Sequence, residues 1–382
     1  MPRFLHTADW QIGRRYSQFD PDDASLLAEA RALVVEKLAA LAIDRAVDAV
    51  LVAGDVFDAQ TVSDRVIRRL FAAMSGFAGP WVMIPGNHDA ALSESVWTRA
   101  QRLGAVPANV HLALTPGVIS LEPCKTAVLC APLTQRHTYS DTTEAFDGIQ
   151  TPDGWLRIGL AHGSVEGILP GEIDSANPIA SNRCLSARLE YLALGDWHGL
   201  KIVNERCAYS GTPEQERFRD NEPGYCIVVD VEGPGAVPKL EPVCVGRHQW
   251  SDLALSVAVP TDIDQICVRL ASLRGDDVVQ VAISGRTDLS GHRRLTEALG
   301  RAEAAVRSLR HDLADLRLLP TKDDIAALHA DGYLAEVIAE LRDEQGDGRD
   351  AEQARVAREA LAILCSALDP AVTSGAAGGT TA

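Results

Sequence analysis

The first ninety residues alternate three short apolar runs with two amphipathic periods, and every run ends in a polar cluster. The runs cover residues 4–8, 49–53 and 81–84, the last being Trp81-Val82-Met83-Ile84. Between the first two, Leu27, Ala30, Val34, Leu38, Leu41 and Val47 recur at helical spacing over residues 24–46. Between the second and third, Ser63 stands as a cap ahead of Val66, Ile67, Leu70 and Phe71. A β-α-β-α-β order predicts a parallel sheet whose ligand edge lies at the carboxyl ends of its strands. At those ends stand Asp9-Trp10-Gln11, then Gly54-Asp55-Val56-Phe57-Asp58, then Pro85-Gly86-Asn87-His88-Asp89. An amide oxygen, an imidazole and a carboxylate in a row suit a divalent metal with a general acid beside it.

A helix over residues 94–103 follows, and from about residue 109 the pattern turns to short strands. These cover residues 111–114, 118–121, 127–130, 155–161, 191–194, 225–231 and 240–245. Two of them run into further polar clusters, His162-Gly163 and Gly195-Asp196-Trp197-His198. The strands predict a second sheet packed on the first, in an α/β fold flanked by helices. Beyond residue 251 a strand (253–259), a helix (262–273), a strand (278–286) and a helix (295–309) predict a separate small α+β module. Its Arg286, His292, Arg293, Arg294, Arg307 and Arg310 make either a local basic surface or an ordinary solvated face. From residue 321 the chain reads as helical and acidic. One apolar stripe (Leu334, Val337, Ile338, Leu341) lies in residues 331–342 and another (Val356, Leu361, Leu364, Leu368) in residues 351–368, with a break at Gly346-Asp347-Gly348. The Gly, Ala, Ser and Thr of the last residues predict a disordered tail. The expected domains are therefore 1–250, 251–320, 321–370 and a tail at 371–382.

Composition narrows the function classes. With 382 residues the chain is too long for one ordinary core. No apolar run approaches membrane-spanning length, and the N-terminus enters a strand at once, so no membrane association is expected. Eight scattered cysteines without a Cys-x-x-Cys pair suit a reducing cytoplasm and argue against a zinc ribbon. A net charge of −17 excludes a general polyanion binder, so a nucleic-acid substrate needs a local basic surface, metal ions or a basic partner.

The five clusters, in this order and spacing, resemble the motifs of the calcineurin-like metallophosphoesterases: D-x-H, GD-x-x-D, GNH-[DE], H and G-H-x-H. The resemblance covers about residues 3–232. Within that superfamily His6-Thr7-Ala8-Asp9-Trp10 and Gly54-Asp55-Val56-Phe57-Asp58 look like the SbcD-type DNA repair nucleases, as does Tyr209-Ser210-Gly211-Thr212-Pro213-Glu214 with Phe218 and Gly224-Tyr225 after it. It implies a two-sheet metallophosphoesterase sandwich, then a small α+β capping module and a C-terminal helical segment. It implies two divalent metal ions, manganese with magnesium as the alternative, held roughly 3.5–4 Å apart by a bridging carboxylate. By resemblance that bridge is Asp55, with Asp9 and His198 completing one metal and Asn87 with His162 the other. His88 would protonate the leaving alkoxide, and Asp89 would orient its imidazole. Asp58 would fix a loop or a supporting histidine rather than bind metal.

Two positions depart from the pattern. Gln11 stands where D-x-H has its histidine, and Asp196 where G-H-x-H has its first. Both exchange nitrogen for oxygen and shift the site toward manganese or magnesium. The reading that follows is a DNA exonuclease or endonuclease, with a phosphodiesterase on small nucleotides and a scaffold with a dormant site as alternatives. The resemblance also implies DNA, a coiled-coil ATPase of the SbcC kind and a second copy of the chain as partners. The helices at 24–46 and 63–77 would supply a dimer face, and the C-terminal stripes would lie against the coiled coil.

Overall fold

The computed structural model describes residues 1–168, 176–219, 221–327, 332–345 and 350–368. The expected tail at 371–382 and the Gly346-Asp347-Gly348 break lie outside the described residues. The chain divides into two compact units, Met1–Gln249 and Trp250–Ala382.

The first unit opens with β1 (Arg3–Thr7), α1 (Pro21–Asp44), β2 (Ala49–Ala53), α2 (Asp64–Met74), β3 (Trp81–Ile84), α3 (Val96–Arg102) and β4 (Val110–Leu112). It continues with β5 (Gly117–Leu121), β6 (Thr126–Ala131), β7 (Leu156–His162), the short pair β8 (Ser164–Val165) and β9 (Pro178–Ile179), α4 (Arg183–Ser186) and β10 (Tyr191–Gly195). It closes with β11 (Lys201–Asn204), β12 (Cys207–Tyr209), β13 (Tyr225–Asp230) and β14 (Lys239–Cys244). α1 begins ahead of the expected residue 24 because Pro21 supplies its first turn, with Asp22 and Asp23 favoured by the helix dipole. Ser63 caps α2 by accepting from the Val66 N–H, and Ser95 with Thr98 closes a capping box on α3.

The strands form two six-stranded sheets, ordered β14-β13-β1-β2-β3-β4 and β11-β12-β10-β7-β6-β5. In the first, β1 to β4 run parallel while β13 and β14 pair antiparallel. This corrects the expectation that the strands from residue 111 onward all join the second sheet. β4, β13 and β14 belong to the first. The cause lies in β1, whose Phe4 to Thr7 are all buried and need a neighbour on each side. β13 fills the open side, and Arg3 pairs there with Asp230 at 2.6 Å.

Alternation along the strands makes four layers. Leu5, Val50, Val52, Trp81 and Met83 face α1, α2 and α3, packing on Val34, Leu38, Ile67 and Leu70. Phe4, Leu51, Ala53, Val82 and Ile84 point the other way, onto Val128, Ile158, Leu160 and Ala193 of the second sheet. The outer face of the second sheet is covered by Phe146, Ala187 and Leu189. Each strand that carries a polar cluster therefore lies inside the sandwich and delivers that cluster at one end.

The second unit holds β15 (Gln249–Val257), α5 (Pro260–Ala271), β16 (Asp277–Thr287), α6 (Leu289–Ala305), β17 (Ser308–Asp312) and β18 (Leu316–Leu318). β16 is central, parallel to β17 and β18. Ile263, Ile266, Leu295 and Leu299 of the helices pack on Val279, Val281 and Ile283. Of the candidate basic face, Arg294 pairs with Asp264. Three further helices follow: α7 (Lys322–Ala327), α8 (Tyr333–Asp343) and α9 (Ala351–Leu368). Their stripes close largely on one another, with Ile338, Leu361 and Cys365 buried and Ile325, Leu341, Leu364 and Leu368 packed around them. Leu334 and Val356 stay exposed, at 37% and 52%.

Candidate metal centre

Five loops leave the carboxyl ends of β1, β2, β3, β7 and β10 and meet at one edge of the sandwich. Backbone bonds lock the first two: the Asp9 N–H donates to the Gly54 carbonyl at 3.0 Å and the Gln11 N–H to the Asp55 carbonyl at 2.9 Å. Asp9, Gln11, Asp55 and Asp196 all have positive φ, at 55°, 49°, 51° and 102°. Non-glycine residues enter that region at a cost, and such strain gathers at functional sites. Two glycines let the loops close. A Cβ on Gly86 would strike the Asp55 carboxylate and the His162 ring, and one on Gly54, at φ 88°, would strike His162 Nδ1. Both motif glycines are therefore required by close approach as much as by turn geometry.

The side chains converge as follows. Asp9, Asp55 and His162 are buried, and each offers a ligand atom within 4.8 Å of the others. His162 donates from Nδ1 to the Ala53 carbonyl at 2.8 Å, which fixes the tautomer and turns Nε2 into the cluster. Nε2 then lies 3.7 Å from Asp55 Oδ1 and 3.7 Å from Asp196 Oδ1. The Asn87 amide sits 3.0 Å from the same nitrogen. Its oxygen accepts there when His162 carries a proton on Nε2; with the ring neutral its NH₂ turns in and also lies 3.2 and 3.1 Å from the two Asp55 oxygens. Asp196 donates its backbone N–H to the Asp9 carboxylate at 3.2 Å. His198 hydrogen-bonds through Nδ1 to Glu216 at 2.6 Å, which leaves Nε2 as the nitrogen that could hold a cation.

The charges disturb one another strongly. Burial raises Asp9 to about 6, against the pull of His198 and His162, while Asp55 and Asp196 push the same way as burial. Burial alone would lower His162, but Asp55, Asp9 and Asp196 outweigh it and raise that imidazole to about 9. His198 is also raised, its bond to Glu216 overcoming burial. Burial likewise opposes the charge on Glu216, yet the bond to His198 and the arginines beside it hold the carboxylate well below its usual range. Three crowded carboxylates call for cations. Gln11 adds a direct sign. Its Nε2 donates to Asp55 Oδ2 at 2.8 Å, while its Oε1 is buried with no hydrogen-bond partner. An orphaned buried acceptor next to the Asp55 carboxylate suits a metal ion.

His88 stands at the rim with a side chain 33% exposed and Nε2 4.0 Å from Asp55 Oδ2. Its Nδ1 donates to the Asp58 carbonyl at 2.8 Å. Since a carbonyl only accepts, Nε2 is the nitrogen left available to exchange a proton. This corrects the expectation for Asp89, which does not orient the imidazole. Asp89 is fully buried, and its carboxylate accepts from the Val56, Phe57 and Gly86 N–H groups at 2.9, 3.1 and 2.7 Å. Burial and Asp55 raise it to about 7, against those backbone donors. It ties the β2 loop to the β3 loop. The orienting group for His88 is the main chain of Asp58, whose side chain pairs with Arg14 at 3.1 Å.

Two residues escaped the sequence reading. Glu216, its side chain 1% exposed, holds His198 and takes ion pairs from Arg14 at 3.3 Å and Arg31 at 3.5 Å. Arg31, 1% exposed on α1, donates to the Trp10 carbonyl at 2.7 Å, the Tyr16 hydroxyl at 2.8 Å and the Glu214 carbonyl at 2.7 Å. It thus joins the Asp9 loop to the loop that supports His198. A signal existed for Arg31: it stands four residues after Leu27 and four before Val35, on the apolar stripe itself. Glu216 lies in a loop without periodicity and left none.

Comparison with known proteins agrees with this architecture. The model of the calcineurin-like phosphoesterase family matches residues 2–227. The SbcD component of the nuclease SbcCD from Rhodobacter capsulatus is 42% identical over 94 residues, 23% of this chain and 22% of that protein. The DNA double-strand break repair protein Mre11 of Methanosarcina acetivorans is 27% identical over 252 residues, 61% of this chain and 37% of that protein. The SbcD component of the nuclease SbcCD from Bacillus subtilis is 25% identical over 297 residues, 68% of this chain and 71% of that protein. The chain thus spans well under half of the first two relatives and about seven-tenths of the third. A family match across more than half of the residues, on the two-sheet sandwich with its five converging loops, establishes that the chain belongs to the calcineurin-like phosphoesterases.

Proposed function

We propose that the chain hydrolyses phosphodiesters with two divalent metal ions, and that its substrate is DNA undergoing repair. The observation that carries this reading is the convergence of Asp9, Asp55 and His162, with Asn87 and Asp196 against them, at the ends of five strands. Asp55 is the shared ligand. Asp9, Gln11 and His198 would hold one ion, and Asn87, His162 and Asp196 the other. Manganese is the expected ion, with magnesium as the alternative, because oxygen donors outnumber imidazoles. Bound there, the ions would polarise the phosphate and activate a water.

The chain's own residues do the rest. Asp55 is held by the His88 N–H at 2.9 Å and by Gln11. Ala53 aims His162, and Glu216 aims His198. His88, oriented through Nδ1 by Asp58, delivers a proton from Nε2 to the departing oxygen. Asp89 keeps the Asp55 and Asn87 loops in register for that step.

Relatives named as the SbcD component of a nuclease and as a DNA double-strand break repair protein support the DNA reading, and the motif resemblance extends it to a cytoplasmic homodimer working with a coiled-coil ATPase. Residues 1–250 would be the catalytic domain, 251–320 a cap and 321–370 the segment for that ATPase, through the exposed Leu334 and Val356. The net charge of −17 favours a second reading, small-nucleotide phosphodiesterase. Purified protein in manganese should degrade linear duplex or single-stranded DNA. Cleavage of cyclic and dinucleotides without any cleavage of DNA would instead select the second reading, and no hydrolysis of either would defeat both.

A further inference from the structure

Trp197 lies between Asp196 and His198 and takes no part in the cluster. Two cations gather on its ring: Lys201 Nζ lies 5.9 Å from the centroid and the Arg219 guanidinium also 5.9 Å. Among the described residues neither pairs with a carboxylate, whereas Arg14, Arg31 and Arg217 close by are all engaged with Glu216. Two such cations concentrated on one aromatic ring are unexpected in a chain of net charge −17. The two loops that carry them are pressed together. The Leu200 N–H donates to the Glu222 carbonyl at 2.8 Å, and Gly199 lies so close to Asn221 that a side chain would collide with its carbonyl. Trp197 itself rests on the core of the second sheet. The ring and the backbone beneath both cations are thus fixed beside the β10 loop that carries Asp196 and His198.

We propose that Trp197, Lys201 and Arg219 form a nucleic-acid rim that takes the strand next to the scissile phosphodiester, in a single-stranded or frayed end. The inference deepens the phosphodiesterase reading and rests on it for the catalytic centre alongside. An indole offers a stacking surface to any base, and the two cations offer charge to adjacent phosphates. These groups lie outside the ligand set, so they gain a partner only when the substrate continues past the reacting phosphate. That requirement selects a polynucleotide over a mononucleotide diester. It also gives an acidic protein the local positive surface its overall charge denies it.

The test uses the full chain and a fluorescein-labelled single-stranded 15-mer, with anisotropy measured across salt concentrations in EDTA and again in calcium. The paired variant Lys201→Glu with Arg219→Glu should flatten the dependence of log K on log salt by roughly 0.7 for each phosphate no longer neutralised. Trp197→Ala should weaken binding roughly tenfold at unchanged slope, with Trp197→Phe recovering part of the loss. The charge-matched pair Lys125→Glu with Lys239→Glu, at the opposite end of the strands, should leave the slope as it is. Equal slopes in the wild type and the Lys201/Arg219 variant under both conditions would overturn the rim. So would an equal loss in the control pair, or equally tight binding of an acidic peptide of the same charge. Turnover of bis(p-nitrophenyl) phosphate in manganese separates the two ideas. A chain that hydrolyses it, while the variant pair binds the 15-mer like wild type, keeps the phosphodiesterase reading and loses the rim. A chain that binds with the expected slope differences yet hydrolyses no diester keeps the rim and loses that reading.

Discussion

Replacing Glu216 by Gln tests the support of the centre without touching a proposed ligand. The carboxylate lies 2.6 Å from His198 Nδ1 and fixes that ring through this nitrogen. An amide of the same shape keeps one acceptor but loses the charge that raises His198's basicity. Carboxylates that orient a metal-bound histidine contribute about 10–100-fold to metal affinity or activity, or ~1.4–2.7 kcal/mol. A second effect falls on stability. Arg31 loses its ion pair while buried, and breaking a buried pair costs up to about 3–5 kcal/mol. Its bonds to Trp10, Tyr16 and Glu214 survive, which places the cost lower, at roughly 2–3 kcal/mol. For a unit of this size that lowers the melting temperature by roughly 5–10 °C. The assay is manganese titration by calorimetry beside turnover of bis(p-nitrophenyl) phosphate at rising manganese. Glu216→Gln should need at least about tenfold more metal for half-maximal turnover and recover most of its rate at saturation. Half-saturation equal to wild type would refute the positioning role, and a loss that no manganese concentration recovers would place the effect elsewhere.

The other predictions concern the cluster itself. Asp55→Asn should abolish hydrolysis at every manganese concentration while the melting transition survives; near wild-type turnover would sink the shared-ligand assignment. His88→Ala should cost roughly 10²–10⁴-fold on DNA and little on p-nitrophenyl esters, whose leaving group needs no proton. Equal losses on both would make His88 structural. Gln11→His should tighten manganese binding and raise turnover at low metal, and an unchanged affinity would mean that the orphaned oxygen does not face the ion. In the metal-free protein His162 is raised from 6.5 to about 9, so its contribution to stability is complete below pH 6.5 and disappears as pH rises through about 9. Melting in EDTA should therefore fall between pH 6.5 and 9, while manganese affinity climbs roughly tenfold per unit as metal displaces that proton. A flat profile for both would remove His162 from the ligands.

What the sequence disclosed depended on periodicity. β1, β2, β3, β7 and β10 are buried on both faces and read as continuous apolar runs, so their ends, and the clusters at those ends, were legible. Sheet membership was not. β4 has His111 exposed and β13 ends in Asp230, and nothing local tells such a strand which sheet it joins. That choice is made by the unfilled side of β1. The resemblance implies that Asp89 orients His88, and the structure places it elsewhere. A turn that buries one residue and exposes its neighbour sends the two side chains to different places, and Asp89 found three backbone donors instead. Glu216 could be found only in three dimensions, since it acts between loops far apart in the chain, whereas Arg31 signalled itself only as a charge on the apolar stripe of α1.

The two departures from the family motif belong together. Exchanging one histidine for Asp196 adds a third carboxylate to Asp9 and Asp55. The crowding shows in the direction of the shifts: burial with Asp55 and Asp196 raises Asp9, and Asp55, Asp9 and Asp196 raise His162 against burial. Exchanging the other histidine for Gln11 removes a basic nitrogen and substitutes a neutral oxygen, which is left without a hydrogen-bond partner. The pair of changes thus trades imidazole donors for oxygen and raises the demand for positive charge. Both effects act in one direction, toward hard cations bound by charge rather than soft ones bound by nitrogen. On the proposed DNA reading an anionic cluster of this kind would repel its polyanionic substrate until loaded, and the cations on the Trp197 ring would offset that repulsion.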